Sequence, residues 1–354
     1  MEQLIDRFGE AYLMCAAGLL VGLVFGASAA HSRFCLRAAT LEVASGAPGG
    51  KLSLWLVAFL AALTSVQAAL YFGFLDVSTA RQLASTGSLS GAIIGGLMFG
   101  AGMIFARGCA SRLLVLSASG NLRAIVTGLV LTLTAQAALT GVLAPVRETL
   151  AGLWTVQGGA ERHLFGAAQG AQGLAVILAP LGFGAAFLYG RRAGVQTARL
   201  LTASLVGLCV CAGWIATYAI AAASFEVIEV QSLTFTGPST DTLMALVNDR
   251  SGTLSFGQGL VIGVALGAFA AAVAMREARL QRFEPDVPME RYLIGGVLMG
   301  FGAMLAGGCA VGAGLSGGAI LSLTAWVAVF CMWLGAVATQ LALNASAGRH
   351  LQHP

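Results

Sequence analysis

Charge is scarce in this chain. Of 354 residues only 10% are Asp, Glu, Lys or Arg, against 58% hydrophobic, and the mean hydropathy is +0.85. Soluble domains carry roughly 25% charged residues, so a water-covered globular fold is excluded and lipid is the expected solvent. Lysine is almost missing: Lys51 stands alone beside eighteen arginines. No basic run is longer than Arg191–Arg192, so the net charge of +4 does not make a nucleic-acid surface. Seven prolines against 48 glycines argue for close-packed membrane helices over a disordered tail. A Walker A motif is absent, which removes the usual ATP-driven pump. The seven cysteines form no C-x-x-C or Cys/His zinc spacing, so neither a disulfide framework nor a metal site is expected, and no cofactor is called for. The first residues lack a positive start: Glu2, Asp6, Arg7 and Glu10 precede the first apolar stretch, which therefore reads as a retained span.

What is present is a series of apolar runs. A span needs about 20 such residues, and nine runs qualify, at 11–30, 52–75, 89–106, 122–145, 170–189, 200–222, 256–275, 291–306 and 318–343. The expected fold class is an all-α polytopic membrane protein of about nine transmembrane helices plus short re-entrant or half helices. With the N-terminus outside and the C-terminus cytoplasmic, 14 Arg and Lys residues fall on the inner side and five on the outer side. Residues 223–255 hold Glu226, Glu229, Asp241 and Asp249 but one Arg, as expected of an external loop.

The chain also repeats itself. GGLMFGAGMIFARGCA at 95–110 returns as GGVLMGFGAMLAGGCA at 295–310, so Cys109 recurs as Cys309. A weaker match joins GLVFGASAA (22–30) to GVALGAFAA (263–271). On this topology the two Gly-Cys segments run in opposite directions. The chain is therefore read as a single membrane domain, 1–354, with inverted-repeat halves at about 11–145 and 256–345 joined by spans 170–189 and 200–222. Such repeats put a binding site near the midplane between broken helices.

Three cysteines are candidates for that site. Cys35 lies beside Arg33 and Arg37, Cys109 beside Arg107 and Arg112, and Cys309 in an uncharged Gly-rich string. Gly108 and the pair Gly307–Gly308 are expected to let the backbone leave helical geometry ahead of the thiol. A break at membrane depth survives only where it is packed in protein or lines a cavity. A helix restarting after it aims free N–H groups at that point, which suits an anion. Neutral thiols are weak donors, able to hold a soft sulfur anion without trapping it, as conduction requires. Arg33, Arg37, Arg107 and Arg112 are then expected to attract anions at the mouths. Cys15, Cys209, Cys211 and Cys331, inside apolar spans, are read as packing residues. No catalytic residue is assigned; the rival reading is a membrane thiol enzyme of the sulfurtransferase kind.

The strings HSRFC (31–35), GGLMFGAGMIFARGCASRLL (95–114), SGNLRA (119–124) and GGCAVGAGLSGGAILSLTAW (307–326) resemble the YeeE/YedE, or sulphur-transport domain, family. The resemblance implies an inverted-repeat, hourglass-shaped protein of the bacterial inner membrane that takes up thiosulfate for sulfur assimilation. It implies a pathway past Cys35, Cys109 and Cys309, with Cys109 central. Work alongside a small cytosolic sulfur carrier of the TusA type is also implied. Sulfite and selenium species are the alternative passengers that the family suggests.

Overall fold

The computed structural model describes residues 2–165, 169–248, 254–282 and 288–350. A short α1 (Glu2–Phe8) leads into α2 (Glu10–Ser32), and a short α3 (Leu36–Ala44) into α4 (Gly50–Tyr71). The one-turn α5 (Arg81–Ala84) precedes α6 (Leu89–Phe105). Next come a short α7 (Ala110–Ala118), α8 (Leu122–Leu139) and a short α9 (Ala144–Gly152). α10 (Gln169–Arg192) and α11 (Thr197–Ala221) are long, and α12 (Thr236–Asn248) is shorter. After α13 (Phe256–Ala274) and α14 (Met289–Ala306), a π-helical turn (Gly312–Gly317) connects to α15 (Leu323–His350).

Nine long helices among the described residues follow the nine expected spans. Eight segments are long and apolar enough to cross a bilayer; α14 falls short because Glu290 and Arg291 occupy its first turn. The protein is an all-α polytopic membrane protein. Its outward faces are apolar, as at Leu20, Leu181, Leu188 and Phe330, each more than 60% exposed, which is the surface that acyl chains cover.

Glycine sets how the helices meet. A methyl group on Gly18, Gly22 or Gly26 of α2 would strike the backbone at Phe256, Leu260 or Val264 of α13. The numbers rise together on both sides, so α2 and α13 run parallel. On α6, a methyl on Gly95 would lie 2.5 Å from Gly302 O, and one on Gly102 would lie 2.8 Å from Gly295 O. Here one number rises as the other falls, so α6 and α14 are antiparallel. Gly96 and Gly100 of α6 press on α15 at Ala328 and Met332. Their counterparts 200 positions later, Gly296 and Gly300 of α14, press on α8 at Thr127 and Leu131. Backbones this close are the small-residue packing of membrane helices.

Residues 223–255 depart from the expected external loop. Val230, Leu233, Phe235, Thr236 and Thr240 are buried, and Phe235 packs on Phe25 with ring centroids 5.1 Å apart. Ser316 Oγ donates to Leu233 O at 2.6 Å, and Ser232 Oγ to Val210 O at 2.7 Å. The acidic residues that suggested a loop flank an inward-diving stretch of alternating apolar and hydroxyl residues. Residues 249–253 lie outside the described residues.

Candidate permeation site

The three singled-out cysteines share one backbone construction. Each stands two residues after a left-handed residue: Arg33 (φ 55) before Cys35, Arg107 (φ 56) before Cys109, and Gly307 (φ 77) before Cys309. Of the glycines expected to break the helices, Gly307 carries the turn, whereas Gly108 and Gly308 do not have positive φ. Gly308 instead gives room, since a methyl there would come 3.0 Å from Ala313 N. A left-handed non-glycine residue costs about 1–2 kcal/mol, and such strain gathers at functional positions. Cys35 and Cys109 then take extended backbone and act as the N-caps of α3 and α7. After Cys309 the chain enters the π-helical turn, and Gly312 N donates to Cys309 Sγ at 3.5 Å. The helices are thus interrupted at all three thiols.

Cys35 and Cys109 are brought together: their thiols lie within hydrogen-bonding reach of one another. Ser111 Oγ adds a contact at 3.5 Å to Cys109 Sγ. Cys109 is fully buried, Cys309 is 1% exposed and Cys35 is partly exposed. Cys309 shares the same core, with no hydrogen bond joining it to the other two. Arg37 and Arg112 stand close enough to Cys35 to act on it electrostatically. Arg33 does not: its guanidinium is paired with Glu277 at 2.7 Å, both side chains about half exposed. Cys209, Cys211 and Cys331 are buried packing residues, and Cys15 is half-buried. Among the described residues no group of three His, Cys, Asp or Glu side chains gathers in the manner of a metal site.

Two buried groups were missed by the sequence reading. Arg123 is 8% exposed and Tyr292 1% exposed, with the guanidinium 5.1 Å from the ring centroid. In the sequence Arg123 is one more inner-side charge, and nothing there singles out Tyr292. Only the parallel approach of α14 and α8 brings them together.

The sequence pattern of the sulphur transport family matches residues 31–338, from the HSRFC string through most of α15. The chain belongs to the sulphur transport family. Within that family, 135 residues are 35% identical to the thiosulfate transporter TsuA of Escherichia coli (strain K12), covering 38% of this chain and 36% of that protein. A further 75 residues are 40% identical to the thiosulfate transporter TsuA of Spirochaeta thermophila, covering 21% of this chain and 23% of that one. These matches span about a third or less of each relative's length. The stretch matched by the family pattern includes all three broken-helix thiols, Cys35, Cys109 and Cys309.

Proposed function

We propose that this protein is a permease that takes up thiosulfate, passing the ion along Cys109, Cys35 and Cys309 by transient S–H hydrogen bonds. The observation that carries the reading is the shared construction of the three breaks, each presenting a thiol two residues after a left-handed turn. The names of the two TsuA relatives point to thiosulfate as the passenger. Thiosulfate carries two negative charges and a soft terminal sulfur. Thiols hold that sulfur weakly, and Arg37 and Arg112 draw the charge toward them. Gly108 and Gly308 keep the residue before Cys109 and Cys309 free of a side chain, while Arg107 adds charge at the first break.

The protein is placed, in this reading, in the bacterial inner membrane with its N-terminus outside and its C-terminus cytoplasmic, as the arginine distribution supports. A TusA-like carrier protein is the proposed cytosolic acceptor of the sulfur. The two halves are inverted repeats, 11–145 being the first. The second half begins at α11 instead of at 256, because α2 and α13 run parallel and are not counterparts across an inversion. α11 opposes α2, with Ser224, just past the end of α11, bonded to Glu10 at the start of α2.

The test is uptake of labelled thiosulfate by proteoliposomes, with sulfite and selenite as competitors. Cys109→Ala is expected to abolish uptake and Cys309→Ala to reduce it strongly. Full uptake by Cys109→Ala would refute the pathway. A persulfide formed on Cys109 during turnover would instead favour the sulfurtransferase reading.

A further inference from the structure

A second cluster lies next to the thiols; it shares Arg37 with the pathway just described and adds Arg123 and Tyr292, which that pathway does not use. Arg37 opens α3, Arg123 opens α8, and Tyr292 comes from α14. Arg37 is close enough to Arg107, Arg123 and Tyr292 to interact electrostatically with all three. Arg123 stacks on the Tyr292 ring, which leaves the guanidinium edge free to bind. The Nε atoms of Arg37 and Arg123 and the Tyr292 hydroxyl are buried, and none has a hydrogen-bond partner. Among the described residues, no carboxylate pairs with Arg37 or Arg123.

The Arg37 and Arg123 guanidinium groups, gathered in this way, repel each other, and burying one without an acceptor is unfavourable. An arginine serving only to mark the inner side of the membrane has no reason to leave water, yet Arg123 is 8% exposed. The arrangement makes physical sense once an acceptor with several oxygens and more than one negative charge enters. Guanidinium forks match such oxygens two at a time, and a tyrosine hydroxyl supplies one further donor.

We propose that Arg37, Arg123 and Tyr292 form a binding site for a small tetrahedral oxyanion carrying two negative charges. This deepens the permease reading and rests on it for the site's role: a second station that receives the oxygen-bearing end of the passenger after the thiols release its sulfur. The binding itself does not depend on that role. The site recognises oxygens, so sulfate occupies it although sulfate lacks the soft sulfur that the thiols hold.

The experiment is calorimetric titration of the purified full-length protein with sodium sulfate at low ionic strength, where charge is least screened. Sulfate is expected to bind the parent and Cys109→Ala alike. Arg123→Gln and Arg37→Gln are each expected to weaken it about ten-fold or more, with Arg123→Lys only partly restoring it because the fork is lost. Arg37→Gln, at a half-buried position, serves if Arg123→Gln fails to fold. Equal sulfate affinity in parent, Arg123→Gln and Arg37→Gln overturns the proposal, as does a parent that binds no sulfate. Thiosulfate uptake is scored separately: a parent that binds sulfate but takes up no thiosulfate keeps the site and removes the permease role.

Discussion

Replacing Gly95 by alanine tests whether the α6–α14 crossing holds the two Gly-Cys breaks together. The new methyl would lie 2.5 Å from both Gly302 O and Ala306 N. Comfortable contact for a carbon atom is about 3.5 Å or more, so the helices must part locally by about 1 Å. Both obstacles are backbone atoms and cannot rotate away. Overpacking costs about 1–3 kcal/mol, here toward the upper end, and the helical preference of alanine over glycine returns about 1 kcal/mol. A net loss of about 2 kcal/mol is expected. Gly128 on α8 is the matched control, with nothing within 4 Å of a methyl built on it. Gly128→Ala should gain about 1 kcal/mol from propensity alone. Thermal unfolding of parent and both variants in one detergent reads the two opposite shifts, and thiosulfate uptake is expected to fall in Gly95→Ala only. A Gly95→Ala protein that melts as high as Gly128→Ala would refute the reasoning.

Two further outcomes follow from buried polar contacts. Gln67 Nε2 donates to Ala319 O at 2.7 Å, joining α4 to the segment behind Cys309; Gln67→Leu strands that carbonyl and should cost about 1–3 kcal/mol, and an unchanged melting temperature would contradict it. Burial holds the His163 imidazole below its usual pKa, so the folded state binds fewer protons than the unfolded chain. Stability is therefore fully present above about pH 6.5 and declines as pH falls below it. His163→Gln should flatten that decline in pH-resolved melting curves; a parent equally stable on both sides would count against it.

The membrane fold was legible because lipid demands long apolar runs, and each of the nine runs became a helix. α14 was found by its repeat with 95–110 more than by its hydropathy, since Glu290 and Arg291 dilute it. The thiols were legible because Cys109 and Cys309 recur in matched strings. The left-handed residues were legible only in part: Gly307 of the Gly307–Gly308 pair carries the turn before Cys309, but before Cys109 it falls on Arg107, one residue ahead of Gly108, and at Arg33 no glycine announces it. The 230–236 stretch hid for a related reason. Its burial comes from contacts with Val210, Phe25 and Ser316, all distant in sequence, and its acidic neighbours resemble those of a surface loop. The weak match of 22–30 to 263–271 reflected a shared packing need, since both helices present glycines to each other along a parallel seam.

Those seams carry a mechanical consequence. Where carbonyl meets glycine there are no side chains to interdigitate a second way, so the interface has a single fit. Rocking one half of the molecule against the other would forfeit the contact wholesale, without exchanging it for another. On the proposed permease role, turnover in such a scaffold falls to the local parts, the thiols and the short helices behind them, while the surrounding frame stands still.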